Sequence, residues 1–312
     1  MYSRYWAECR RQIITGLILL LLGTGVSHAT VLFSSNAESG TCNTGVATNL
    51  WDSAQSGNFP NSQMFYRCDT PVPNSGRSKY FRIDAINLQH DSWNIHNVSQ
   101  INLTPGVTYY HGLFVRFDRI LGIDIWHDGN GLPDSSDKLY EFNGSVRALI
   151  AAGFQDWANC SNLQCDHHFT FGLYLSPSHC TDCIYEQIPP NVSPYGRNNF
   201  IMADYGKWYA VVLGYTPSTG STQNGKIELY VNGIKTHSYS GIKTQDSSSP
   251  YINTFQHSGT TAQPAYDAPT HYRKFDNFIF SNSLVDMQNA GLMSDPEAGN
   301  GAPNPPSNLR VQ

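Results

Sequence analysis

Charged side chains are scarce in this 312-residue sequence, and acidic ones outnumber basic ones. Asp, Glu, Lys and Arg together make up 14% of the residues, and the formal net charge at pH 7 is −5. Proteins whose main partner is a nucleic acid usually present a basic face, so this balance argues against such a partner. The sequence also lacks a Walker-type phosphate loop, a Gly-x-Ser-x-Gly nucleophile turn and a His-Glu-x-x-His zinc motif, which argues against the enzyme classes that these motifs mark.

Long apolar runs are equally scarce, and the one present lies close to the N-terminus. Residues 13–22 are mostly apolar, but this run is shorter than the ~20 residues that a membrane-spanning helix needs. Three arginines precede it, and the small residues Ser27 and Ala29 follow at the positions that determine signal-peptide cleavage. We therefore expect residues 1–29 to be a signal peptide rather than a membrane anchor, and the mature protein to be secreted, extracellular or periplasmic, with no membrane attachment. Its removal leaves a net charge of −7.

Cysteine is present in an even number once the signal peptide, which contains Cys9, is removed. Six cysteines suit disulfide formation in an oxidising compartment. Proximity along the chain favours the pairs Cys42–Cys68, Cys160–Cys165 and Cys180–Cys183. The last four cysteines lie near His167, His168 and His179, so a zinc site is the competing interpretation. Export favours disulfides, because thiols oxidise outside the cytoplasm.

Helical periodicity is scarce too, whereas short β-branched and aromatic segments recur between stretches rich in turn-forming residues. Residues 146–156 have some helical periodicity, but Gly144 and Gly153 weaken that prediction. The predicted strands are residues 80–83, 108–117, 138–142, 168–175, 208–215, 226–231 and 275–281. This spacing predicts an all-β fold, an antiparallel β-sandwich of the jelly-roll type with long loops and disulfides, as one domain over residues 30–294. Residues 295–312 are rich in Pro, Gly and Asn and are expected to form a linker or tail.

The most informative segment is a predicted β-hairpin formed by residues 206–215 and 224–233. Both stretches are rich in aromatic and β-branched residues, and turn-forming residues separate them. They resemble the Gly-Lys-Trp-Tyr and Leu-Tyr-Val-Asn-Gly hairpin of laminin-G-like and concanavalin A-like jelly rolls. That superfamily is dominated by sugar-binding and sugar-cleaving proteins, so the resemblance implies a carbohydrate ligand. Residues 306–311 resemble the opening of a fibronectin type III module, with a plain disordered terminus as the alternative.

Residues 109–118 are the richest segment for a candidate site. If they form a strand, Tyr109 and His111 lie on a mostly apolar face, whereas Tyr110 and Arg116 lie on the other face. We expect the first face to point to the core and the second to line a groove, where aromatic rings stack on sugars and Arg pairs with a uronate carboxylate. The alternatives are a solvated outer face and, for His111, a histidine of the core.

A second segment, residues 135–147, carries Lys138, Glu141 and Arg147 on or beside a short predicted strand. Basic and acidic groups placed together in this way suit the binding of a sugar acid. Together with residues 109–118, the segment is similar to runs in secreted bacterial polysaccharide lyases of the jelly-roll type. The similarity extends over residues 105–280 and implies cleavage of a uronic-acid-containing polysaccharide by β-elimination.

β-Elimination needs a base for the C5 proton of the uronate, an acid for the departing O4, and groups that neutralise the carboxylate. Jelly-roll lyases generally use Tyr or His for proton transfer and Arg, Lys, Gln or Asn at the carboxylate. Residues 271–278 contain such side chains on the last predicted strand, where Tyr272 and Lys274 share a face. The alternative is an edge strand whose charges discourage aggregation.

The resemblance, combined with strand placement, gives a set of predicted site residues. We predict that His111 and Tyr272 transfer protons and that Arg116, Lys138 and Arg147 recognise the carboxylate. The full set of predicted substrate-binding residues is Tyr110, Arg116, Lys138, Glu141, Arg147 and Lys274.

A jelly-roll glycosidase is the rival enzyme class. Retaining β-glucanases of this fold carry alternating carboxylates in a Glu-x-Asp-x-x-Glu pattern, which places nucleophile and acid on one strand face. The nearest segment here, residues 122–127, contains Asp124 as its single carboxylate. One carboxylate cannot serve as both acid and nucleophile, so that family is disfavoured, although carboxylates from separate strands remain an alternative.

Residues 126–137 resemble a calcium loop of the EF-hand or thrombospondin-repeat type. The predicted ligands are Asp128, Asn130, Asp134 and Asp137. Trp126 occupies the first loop position, where an Asp is expected, so an Asp-rich turn without metal is the alternative. Calcium is therefore the predicted cofactor, and no organic cofactor is expected.

The sequence thus predicts a secreted jelly-roll protein whose partner is an acidic polysaccharide, which it cleaves as a lyase. A non-catalytic, lectin-like carbohydrate-binding module is the main alternative. A structural surface protein whose sandwich only presents loops is a third.

Overall fold

The structure, a computed structural model, describes residues 30–45, 62–85, 92–117, 126–127, 133–134, 136–154, 168–175, 201–204, 206–259, 271–298 and 310–311. The secondary structure of this part consists of β-strands and one short helix, α1 (Leu284–Asn289). The strands are β1 (Val31–Ser35), β2 (Ser62–Arg67), β3 (Tyr80–Ala85), β4 (Ser92–Asn102), β5 (Tyr109–Phe117), β6 (Trp126–His127), β7 (Pro133–Asp134), β8 (Ser136–Gly144), β9 (Arg147–Phe154), β10 (His168–Leu175), β11 (Ile201–Asp204), β12 (Trp208–Thr216), β13 (Gly225–Val231), β14 (Ile234–Ile242), β15 (Tyr251–Gly259), β16 (His271–Ser281) and β17 (Arg310–Val311).

Two large antiparallel sheets contain nearly all of these strands. Sheet A has the order β14-β13-β12-β5-β16-β3-β2, with β1 paired to β16 as its eighth strand. Sheet B has the order β17-β11-β10-β9-β8-β15-β4, and β6 and β7 pair with each other. The chain crosses between the sheets repeatedly, from β3 to β4 to β5 and from β14 through β15 to β16, as in a jelly roll. The predicted all-β sandwich is confirmed.

The predicted strands all overlap observed ones, and the weak helical signal at residues 146–156 belongs to a strand. That strand, β9, lies between β8 and β10, and its backbone pairs on both sides: Ala148 is opposite Phe142, and Ala152 is opposite Phe171. Two ladders satisfy the backbone hydrogen-bonding groups that a helix would otherwise satisfy locally, so tertiary pairing overrides the local signal.

The predicted hairpin is confirmed as β12 and β13, in which Val211 pairs with Val231 and Tyr215 pairs with Ile227. A second, tighter turn follows at once. Asn232 and Gly233 have φ values of 52° and 79° and connect β13 to β14 in two residues. Asn-Gly is the favoured pair for such a turn, because both positions need positive φ.

The main hydrophobic core lies between the two sheets. Phe142 of sheet B packs edge-on against Tyr215 of sheet A, with ring centroids 5.3 Å apart. Phe33 of β1 stacks on Phe255 of β15 at 4.5 Å. Large aromatic side chains bury more apolar area than any others, so these contacts between the sheets hold the sandwich together.

A second apolar cluster covers the outer face of sheet A. Met287 of α1 and Leu292 just beyond it pack against Phe114 and Val212. Gly112 lies directly beneath them: a Cβ atom there would come within 2.7 Å of Leu292 and 2.8 Å of the Met287 sulfur. The absence of a side chain at Gly112 therefore lets the C-terminal segment lie close to the sheet.

Both ends of the domain are tied to sheet A. The Thr30 N–H donates to Asn282 Oδ1 at 2.9 Å, next to the end of β16. At the other end, Glu297 Oε1 accepts a hydrogen bond from the Trp208 backbone N–H at 2.8 Å. Packed contacts therefore continue a few residues past 294, where the sequence predicts that the domain ends, and β17 adds a further short pairing to β11.

The disulfide Cys42–Cys68 is confirmed, with Cα atoms 5.8 Å apart. The other four predicted disulfide cysteines, like His167 and His179 of the alternative zinc site, lie outside the described residues. In the part of the chain that the structure describes, no helix is long and apolar enough to cross a membrane.

Candidate functional site

The predicted site residues divide between the two sheets of the sandwich. We call the outer surface of sheet A "face A" and that of sheet B "face B". Arg116 and Lys274 lie on face A, whereas Lys138, Glu141 and Arg147 belong to strands of sheet B. The hydrophobic core lies between the two sheets, and a shared role for the five residues stays a prediction.

His111 lies between the sheets rather than on either face. Its side chain is 0% exposed, and its ring is 5.7 Å from that of Phe255 and 6.3 Å from that of Phe280. This location agrees with the alternative of a core histidine. A proton-transfer role for His111 stays a prediction, and it would require a route from the surface through packed aromatic rings.

Face A carries a cross-strand row of cations. Antiparallel pairing sets Arg82 of β3 opposite Lys274 of β16, and Lys274 opposite Arg116 of β5. We call these three residues the basic row. Phe65 of β2 extends it at one end and Trp208 of β12 at the other. Residues directly opposite each other in antiparallel strands project to the same side, so all five share face A.

Lys274, at the centre of the basic row, is only 4% exposed. Its Nζ donates to Thr70 Oγ1 at 2.7 Å and lies 5.2 Å from the centre of the Tyr80 ring. The Tyr80 hydroxyl in turn donates to Asp69 Oδ1 at 2.6 Å. This hydrogen bond, together with the positive charges of Lys274 and Arg82, lowers the pKa of Asp69. Burial and the Asp69 carboxylate raise the pKa of Tyr80.

Tyr272, the second residue predicted to transfer protons, is two positions from Lys274 on β16 and pairs with Asp84 of β3. Strand alternation predicts that position 272 shares face A with Lys274 and Arg116, and a role for Tyr272 in proton transfer stays a prediction. The alternative interpretation of this segment as an edge strand is wrong. Strand β16 lies between β5 and β3, in the interior of sheet A.

Tyr110 also lies on face A but is separated from Arg116 by Phe114, which is buried under the C-terminal cover. Burial raises the pKa of Tyr110, and so does the negative charge of Glu228 nearby. The Glu228 carboxylate is 2.8 Å from Lys226 Nζ and 2.5 Å from Lys235 Nζ. Strand alternation alone predicts that Tyr110 and Arg116 line one groove. In the structure the buried Phe114 lies between them.

Three predicted substrate-binding residues belong to two adjacent strands of sheet B. Phe142 of β8 and Ala148 of β9 are buried in the core, and strand alternation predicts the opposite face for the neighbouring positions 141 and 147. Asn143 pairs with Arg147 in the same ladder. Lys138 pairs with Ala151, at the far side of a register shift between residues 138 and 140.

Backbone pairing adds two positions that the sequence-based prediction missed. Glu141 pairs with Gln256 of β15 on one side and with Leu149 of β9 on the other, and Leu149 pairs with Tyr174 of β10. We call the four positions 256, 141, 149 and 174 the face B row. The alternating sequence pattern of β10 and β15 could have indicated Tyr174 and Gln256 as candidate residues. Their alignment with Glu141 depends on strand register, which the sequence does not reveal.

Among the described residues, the one helix, α1, packs on sheet A.

The predicted calcium loop is only partly described. Pairing of Trp126 with Asp134 and of His127 with Pro133 brings the two ends of the loop together. Asp128 and Asn130 lie outside the described residues, and Asp137 lies in β8. The described residues contain no group of three or more His, Cys, Asp or Glu side chains that could hold a metal ion, so calcium stays a prediction.

No family model matches the chain, and no curated protein matches its sequence. Among solved structures, an endo-β-1,4-glucuronan lyase from the fungus Trichoderma reesei has 14% identity and a TM-score of 0.44, over 86% of this chain and 99% of that one. The alginate lyase Aly36B has 15% identity and a TM-score of 0.42, over 65% and 81%. The cellulose induced protein Cip1 has 12% identity and a TM-score of 0.47, over 80% and 97%. With such identities and TM-scores, these similarities carry no argument about chemistry.

Proposed function

We propose that the protein is a secreted polysaccharide lyase that cleaves a uronic-acid-containing polysaccharide by β-elimination on face B. The observation that supports this most is the alignment of Gln256, Glu141 and Tyr174 in one cross-strand row, with Arg147 in the adjacent row. Four adjacent strands about 4.8 Å apart span roughly 14 Å, so a polymer crossing them meets all of these positions.

The chemistry assigns each residue type a task. Arg147 and Gln256 would bind the uronate carboxylate, since Arg forms paired hydrogen bonds with carboxylates and an amide donates a further one. Neutralising that carboxylate stabilises the negative charge that develops when the C5 proton leaves. The C5–H and C4–O4 bonds break, a C4=C5 double bond forms, and a proton is transferred to O4 of the leaving sugar.

Tyr174 is the proposed proton-transfer residue on face B. A phenol has an ordinary pKa near 10, so it needs nearby positive charge to act as a base at neutral pH. The basic residues of the predicted set in this sheet are Arg147 of β9, the strand next to β10, and Lys138 of β8, one strand further away. The rival location is face A. There the sequence-based prediction uses Tyr272 for proton transfer, with Arg116 and Lys274 as substrate-binding residues.

Tyr174→Phe and Tyr272→Phe form a matched pair that distinguishes the two locations. Purified protein, with and without calcium, is mixed with alginate, glucuronan, pectate, heparin-like and chondroitin-like glycans, and ultraviolet absorbance reports the new conjugated double bond. We expect Tyr174→Phe to lower the rate by about 10²–10⁴, the usual contribution of a general acid–base group, and Tyr272→Phe to lower it little. The reverse pattern would move the reaction to face A.

A carbohydrate-binding module without catalytic activity is the second candidate function. The burial of His111, one of two residues predicted to transfer protons, favours it. A flat absorbance trace with every glycan, with no new reducing ends but with measurable binding, would establish the module and refute the lyase.

A further inference from the structure

The basic row on face A is an unusual arrangement for a β-sheet. Arg82, Lys274 and Arg116 occupy directly opposite positions on three adjacent strands, where Cβ atoms are about 4.5–5.5 Å apart. Like charges in such positions repel and destabilise a sheet. Edge protection does not explain them, because β16 is an interior strand with β5 and β3 on its two sides.

Some negative charge lies close to the row. The Asp69 carboxylate is close enough for Lys274 and Arg82 to lower its pKa, and it accepts a hydrogen bond from Tyr80. Asp276, two residues beyond Lys274, is engaged elsewhere: it accepts a hydrogen bond from the Ala37 N–H at 3.2 Å and lies 3.5 Å from the Arg77 guanidinium. Asp84 pairs with Tyr272 in the next cross-strand row. An anion at the row would supply further neutralising charge.

The basic row combines one buried cation with two that are partly exposed. Lys274 is covered by Thr70 and lies against the Tyr80 ring, so its ammonium group is fixed at the centre. Arg82 and Arg116 are half-buried on either side of it, which leaves part of each side chain at the surface. Guanidinium groups bind carboxylates and sulfates through two parallel hydrogen bonds, a geometry that ammonium groups lack.

Phe65 adds an aromatic ring at the outer end of the row. It is also partly exposed, and the Arg67 guanidinium lies 4.9 Å from its ring centre. Planar apolar surface next to cations suits a sugar ring that carries an acidic group, since the ring stacks while the acid pairs. A small inorganic anion would use the charges but not the aromatic surface.

We propose that face A is a second, non-catalytic binding site for an anionic polysaccharide, in which Arg82 and Arg116 bind the acidic groups and Lys274 supplies fixed charge between them. Its non-catalytic role rests on the proposed function in one respect, because it requires that any cleavage takes place on face B. Loss of activity in Tyr272→Phe but not in Tyr174→Phe would make face A the catalytic site and overturn this proposal, whereas a protein without lyase activity would leave it standing.

The test compares the full chain with Arg82→Gln/Arg116→Gln in affinity electrophoresis and calorimetry against alginate and heparin, with neutral dextran as the reference polymer. Lys235→Gln/Lys243→Gln is the matched control, because it removes the same charge at β14, four strands from β16 in sheet A, and at the residue that directly follows β14. We expect the arginine variant to lose at least about 10-fold in affinity for the anionic glycans at constant salt, and the lysine variant to lose much less. Equal losses in both variants would reduce the effect to net charge and overturn the proposal.

Hydrogen exchange on the unmodified protein tests the same site without any substitution. With alginate or heparin bound, we expect slower exchange in peptides from β2, β3 and the end of β5. Protection confined to β8, β9, β10 and β15 would place all binding on face B and overturn the proposal. Protection by free sulfate as strong as that by heparin at equal charge would identify a simple anion site instead of a glycan site.

Discussion

At the scale of single residues, Asp276 shows how burial sets the properties of an acid. Its carboxylate is 0% exposed, accepts a hydrogen bond from the Ala37 N–H and faces Arg77. Burial raises its pKa to about 6, although Arg77 and backbone N–H groups lower it in part. The carboxylate joins the N-terminal segment to the middle of β16, so its ionisation bears directly on how that segment is held.

Stability should therefore depend on pH through Asp276. Because the pKa is higher in the folded chain (about 6) than in the unfolded chain (3.8), the folded state binds the extra proton between these values. Folding stability attributable to this group should fall by roughly 2–3 kcal/mol as pH rises from 4 to 7. Urea unfolding of wild type and Asp276→Asn at several pH values measures this. The stability of the variant relative to wild type should rise with pH, and a constant difference would contradict the assignment.

At the scale of secondary-structure elements, β5 shows what strand alternation predicts and what it does not. The expected core face is confirmed, because Tyr109, Leu113 and Val115 are buried between the sheets. On the other face, where the sequence predicts a groove, Met287 and Leu292 cover Phe114. These residues lie more than 170 positions later in the chain, and alternation within one strand carries no information about such distant partners.

Strand register limits prediction of the candidate site in the same way. Glu141 and Arg147 were identifiable from residue type and strand placement, but Gln256 and Tyr174 enter the site only through pairing between β15, β8, β9 and β10. A shift of one residue in any of these ladders would move a side chain to the core. Residue type therefore predicts candidates, whereas tertiary pairing decides which of them meet.

The turn between β13 and β14 gives a prediction at this scale. Gly233 has a φ of 79°, and a Cβ there would collide with the Met293 backbone. Gly206 has a nearly equal φ of 78° but open space around it, so it is the matched control. We expect Gly206→Ala to lower the free energy of unfolding by about 1 kcal/mol, because alanine disfavours the positive φ. Gly233→Ala should lower it clearly more, because the added Cβ also clashes with the Met293 backbone. Chemical denaturation measures both, and equal costs would show that the C-terminal segment moves aside freely.

At the scale of the whole molecule, the fold class follows from the sequence, whereas the way the domain closes does not. The segment after β16 returns across face A and ends with Glu297 hydrogen-bonded to the Trp208 backbone. The Pro-, Gly- and Asn-rich composition of residues 295–312 predicts a linker or tail, and this stays a prediction. Composition alone does not reveal that Glu297, within this segment, contacts a strand that precedes it by almost 90 residues.

The disulfide Cys42–Cys68 should stabilise the domain chiefly through the unfolded chain. It closes a loop with a sequence separation of 26, and the loss of chain entropy in the unfolded state is worth about 3.5 kcal/mol for a loop of this size. Cys42→Ser/Cys68→Ser should lower the melting temperature by several degrees while leaving glycan binding at low temperature nearly intact. Calorimetry of both proteins checks this, and an unchanged melting temperature would show that the bridge contributes little to stability.

The back-to-back placement of faces A and B has a consequence for material properties. Stacked sheets are about 10 Å apart, so a glycan held on face A and another met on face B are separate strands of polymer, one on each side of the same molecule. If face A binds a glycan and face B cleaves one, as proposed above, the protein would cross-link a polyuronate gel as well as degrade it. At low enzyme-to-polymer ratios the viscosity of the gel should first rise and then fall, and a variant without the basic row should show only the fall.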